Sequence, residues 1–63
     1  MPKKPQAPAA DVVRQKIVDL HNSPEARFIA ATWDECCEST ARNFERDGLP
    51  NSARHARSLK ESP

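Results

Sequence analysis

Apolar residues along this 63-residue chain recur at intervals of three and four, and nothing in it alternates like a strand. In residues 9–21, AADVVRQKIVDLH, the side chains of Ala9, Ala10, Val13, Ile17 and Leu20 share one arc at about 100° per residue, which predicts a first helix. Asp11 suits its first turn, and Asn22 is placed to end it in a left-handed conformation. Ser23 as N-cap, Pro24 in the first helical position and Glu25 behind them predict a second start, with a helix running from 24 to 47. Gly48 then takes the left-handed position, Leu49 folds back towards Phe44, and Pro50 forbids continuation. A third helix is expected at about 51–61, capped by Asn51 or Ser52, with a narrow apolar face of Ala53, Ala56 and Leu59. The fold class is therefore all-α, a short helix followed by an αα-hairpin, in one domain over 9–63. Residues 1–8, MPKKPQAP, hold three prolines and two lysines and read as a disordered tail.

On the long second helix, Ala26, Ala30, Trp33, Cys37, Thr40 and Phe44 fall within about 40° of one line. Cys36 and Ile29 lie on one shoulder of this seam and Ala41 on the other. The only Trp and the only two cysteines of the chain thus sit on an apolar face. Adjacent cysteines on a helix diverge by about 100°, so they neither bridge one another nor chelate one ion together. No C-x-x-C or H-x-x-x-H spacing accompanies them, and the expectation is buried structural thiols with no metal and no cofactor. Helix three is too narrow to cover a seam five turns long. A second copy is therefore expected to complete it as a homodimer, with Trp33 as the central anchor.

Phe28 departs from this pattern. It lies about 160° from the seam, on the same side as Glu35, Ser39 and Arg46. Either the first helix folds across it, or it anchors a partner, as exposed aromatics at interfaces do. Asp34, Glu35 and Glu38 form a negative edge suited to a basic partner surface. Arg54 and Arg57 share one side of the third helix and form a basic counterpart.

Charge and composition narrow the function. Ten Lys and Arg stand against nine Asp and Glu, for a net charge of +1, which disfavours a general nucleic-acid or membrane binder. The distribution is uneven: residues 23–40 carry four acids and one base, between weakly basic ends. No apolar run has transmembrane length, no apolar stretch follows Lys3 and Lys4, and the reading is a cytoplasmic protein. A single glycine leaves no phosphate-cradling loop, and neither His21 nor His55 has the partners of a catalytic triad. Enzyme is the least favoured class.

The short length, the Pro/Lys leader and the acidic-then-basic helical pair ending ARNFERDGLPNSARHARSLK resemble the small accessory proteins of tailed bacteriophages. The resemblance spans about residues 23–60 and implies a hairpin that binds and disables a host protein. Targets in that group include CRISPR effectors, transcription machinery and quorum-sensing regulators. It implies no particular site residues. The expected function is a non-enzymatic protein-binding inhibitor acting in the host cytoplasm. The alternative is a small helical DNA-binding regulator using its basic residues.

Overall fold

The computed structural model describes residues 8–62, so all of the expected tail but Pro8 lies outside the described residues. Four helices follow one another: α1 Ala10–His21, α2 Pro24–Phe28, α3 Trp33–Arg46 and α4 Pro50–Ser58, with no strand among the described residues. The class is all-α, as the periodicity requires. α1 buries Val13 and Ile17, which share the predicted arc. Asn22 ends it in an ordinary right-handed conformation, φ −89°, and not in the left-handed one. Ser23 makes the next corner. Its hydroxyl donates to Leu20 O (2.7 Å) and accepts from Ala26 N (3.2 Å), closing α1 and opening α2 with one side chain.

The expected 24–47 helix is two helices. α2 stops after five residues because Ala30 turns left-handed, φ 53°. Around it the Ala31 N–H donates to Ala26 O (2.9 Å) and the Ala30 N–H to Arg27 O (3.2 Å), the paired bonds of a Schellman ending. α3 then starts on a complete capping box. Thr32 Oγ1 accepts from Glu35 N (3.1 Å), and Glu35 Oε1 accepts from Thr32 N (3.1 Å). Ala30 is therefore an exposed turn residue and no member of the seam.

The far end of α3 repeats the same ending where it was expected. Gly48 is left-handed (φ 79°), Leu49 N donates to Phe44 O (2.8 Å), and Gly48 N donates to Glu45 O (3.1 Å). α4 begins at Pro50, one residue earlier than expected, with Leu49 as N-cap and neither Asn51 nor Ser52 in that role. It ends at Ser58, short of the expected 61. α3 and α4 make the largest helix–helix contact, and α1 packs on both. The core gathers Val13, Ile17, Cys36, Cys37, Ala41, Phe44, Ala53 and Ala56, with Leu20, Trp33, Leu49 and Leu59 packed around it. The seam expected to await a second copy is thus covered by α1 and α4 of the same chain. The small Ala53, Ala56 and Ser52 let α4 lie close enough to do this.

Candidate functional site

Most residues that sequence reasoning placed at a partner surface are engaged within the chain. The Glu38 carboxylate lies between α3 and α4. Arg57 Nε reaches its two oxygens at 3.2 and 3.3 Å, and Arg57 Nη2 reaches Oε2 at 2.8 Å. Lys60 Nζ donates to Oε1 at 2.8 Å, and Arg42 Nε stands 3.5 Å from Oε2. Arg57 also holds Glu45 Oε1 at 2.8 Å. These bonds hold the Glu38 carboxyl at about 2, well below its ordinary value, with the Arg57 fork the chief cause and Lys60 next.

Asp34 accepts the backbone N–H of Glu61 (2.7 Å) and of Ser62 (3.1 Å), and hydrogen bonding from these residues holds its carboxyl below the usual range. Half-buried Trp33 donates its indole N–H to Leu59 O at 2.8 Å and meets His21 edge-on, with ring centroids 5.8 Å apart. Together these contacts lay residues 59–62 along the first turn of α3. The expected negative edge of Asp34, Glu35 and Glu38 is largely a set of internal fasteners, and Glu35 serves the α3 cap. On the basic side Arg57 is likewise spent, while Arg54 is exposed.

Both thiols are buried, and burial raises both above the ordinary cysteine value, with Glu35 adding to the effect at Cys36 and Asp34 at Cys37. The thiolate form that reacts and binds metal is disfavoured. Among the described residues, no three His, Cys, Asp or Glu side chains converge as a metal site would need. Among the described residues, no helix is long and apolar enough to cross a membrane.

What remains open is the bend after α2. Phe28 is 91% exposed and Ile29 69% exposed, so α1 does not fold across Phe28. A groove of about 290 Å³ opens beside Ile29, with Leu20, Ala26, Ala31 and Cys36 as its other apolar walls. Glu25, Glu35 and Ser39 supply its polar lining. The sharp turn at Ala30 presents the two large side chains at the end of α2. A second hollow of about 300 Å³ lies among Thr32, Trp33, Asp34, Glu61 and Ser62, but its Asp34 oxygens already hold the C-terminal segment.

Of the expected partner-binding residues, the structure therefore leaves Phe28 and Arg54 most open, and it does not bring them into one cavity. Of the seam residues, Ala26, Cys37 and Phe44 are core and Trp33 is a lock on the C-terminal segment. Sequence reasoning missed Ile29, Leu20 and Ala31 as walls of one groove. The signal that would have found them is T-W-D-E at 32–35, a capping-box sequence that starts a new helix and forces a bend before it. Compared with protein-family models, with curated proteins and with solved structures, the chain matches none.

Proposed function

We propose that this chain is a protein-binding module that docks through Phe28, Ile29 and the adjacent groove. Its effect is inhibitory, by occupying a surface of the bound protein, as in the small phage accessory proteins that it resembles. The observation that carries the reading is the exposure of Phe28 and Ile29, at 91% and 69%, on a chain whose other large apolar side chains are mostly packed. Two large apolar side chains held in water, one of which, Ile29, lines an apolar groove, have a hydrophobic incentive to be covered. Truncating an aromatic anchor of this kind typically removes more binding energy than truncating its neighbours. The DNA-binding alternative is less well supported, because Arg57 and Arg42 turn to carboxylates of the chain itself, and the bases left at α4 are few.

The test is a differential capture from host lysate. Wild type, F28D and R54E are immobilised, and the retained proteins are compared. The reading expects a protein held by wild type and by R54E and lost from F28D. The same proteins on all three supports would contradict it. Phe28 is exposed, so F28D leaves the core in place, and an unchanged melting temperature confirms that the loss is one of contact.

A further inference from the structure

The lining of the groove has one sign of charge. Glu25 and Glu35 stand in it, and no Lys or Arg lines it. Of the neighbouring acids, Glu38 is neutralised by Arg57 and Lys60 and adds little to the field at the groove, while Asp34 accepts neutral backbone N–H groups and keeps its negative charge. Glu25 makes no ion pair among the described residues, and Glu35 gives one oxygen to the Thr32 N–H. The site is therefore an apolar channel bordered by two carboxylates on a chain of net charge +1. Its volume, about 290 Å³, falls just below the roughly 300 Å³ at which pockets begin to enclose a small ligand. That is room for one or two side chains, the form of a helix laying its i and i+3 or i+4 anchors into a groove.

We infer that the occupant is a basic amphipathic helix of another protein, with apolar anchors in the groove and against Phe28, and Lys or Arg beside Glu25 and Glu35. This rests on the protein-binding reading above and names the chemistry of its partner. A second copy of the chain fits less well. It would bring its own Glu25 and Glu35 against these, and like charges across an interface disfavour the pairing.

Three fluorescein-labelled amphipathic helical peptides of one length test this: leucine with lysine, leucine with glutamine, and leucine with glutamate. Anisotropy gives affinity, and amide shifts of the ¹⁵N-labelled protein give location. The leucine–lysine peptide is expected to bind about fivefold tighter than the leucine–glutamine peptide. The leucine–glutamate peptide binds weakest, and the shifts centre on Ile29, Ala31 and Cys36. E25K, with unchanged circular dichroism, removes most of the lysine preference, and F28A weakens all three peptides.

Equal affinity of the lysine and glutamine peptides at the groove would overturn the charge inference and leave the protein-binding reading standing. Shifts centred away from the groove, or no binding by any peptide, would overturn the inference and count against the groove itself. A concentration-dependent doubling of mass abolished by F28A would assign the surface to a second copy and overturn the inference in that way.

Discussion

At the scale of single residues, Ala30 and Gly48 make an instructive pair. Both sit in the left-handed position that ends a helix, at φ 53° and φ 79°, and each is flanked by the same two backbone hydrogen bonds. Only Gly48 was legible in the sequence, because glycine takes that conformation without cost and alanine does not. An L-residue there is disfavoured by about 1–2 kcal/mol. Part of that is returned by the smaller entropy alanine loses on folding. Ala30→Gly is therefore expected to stabilise the protein by about 0.5–1 kcal/mol and raise its melting temperature by several degrees, checked by calorimetry. A lower melting temperature would mean that the turn at Ala30 is not left-handed. The same substitution leaves Phe28 and Ile29 untouched, so it separates the strain of the bend from the surface that the bend presents.

At the scale of elements, apolar spacing located the helices, and their start and stop signals set most of the ends. Ser23, Pro24, Gly48, Leu49 and Pro50 all act where local chemistry places them. The seam failed as a single line because a 100° step carried across the bend at 29–32 assigns residues on two helices to one face. Ala26 and Cys37 are both core, yet they reach it from α2 and α3 separately.

The internal engagement of the acidic edge was not legible for another reason. Its residue types suit a solvated face, but apart from the local partners Thr32 of Glu35 and Arg42 of Glu38, the groups that hold Asp34 and Glu38 lie 19 to 28 positions away, at Arg57, Lys60 and the N–H groups of Glu61 and Ser62. No local pattern records such a meeting. The consequence is measurable as a pH dependence. Glu38 has its folded-state value lowered to about 2, so its contribution is present above the unfolded value of 4.5 and is lost as pH falls towards 2. The Asp34 and Glu45 carboxyls are also lowered, by hydrogen bonds from the Glu61–Ser62 segment and from Arg57, and act in the same direction. The melting temperature is expected to fall between pH 4.5 and 2, and Glu38→Gln to flatten that fall while lowering stability at pH 7. An unchanged acid limb in Glu38→Gln would mean that the α3–α4 fastener is not formed in solution.

At the scale of the whole molecule, the chain closes its core with its own four helices. α4, narrow as it is, covers α3 because its inward residues are small, while the Trp33–Leu59 bond and the Asp34 carboxylate bind the segment beyond it. A count of large apolar residues understates this core, because Ala41, Ala53, Ala56 and the two buried thiols also pack closely in it. The large apolar side chains left most exposed by the closed core are Phe28 and Ile29, with Val12 on α1 less so. Under the proposed reading, this pair meets a different protein.

A photo-crosslinking amino acid placed at position 28, and separately at position 54, tests this in cell lysate. An adduct is expected at position 28, equal in mass to the 7.0 kDa chain plus one other protein, competed away by unlabelled wild type and absent at position 54. Self-crosslinked chain as the sole product at position 28, or the same adducts from both positions, would contradict it.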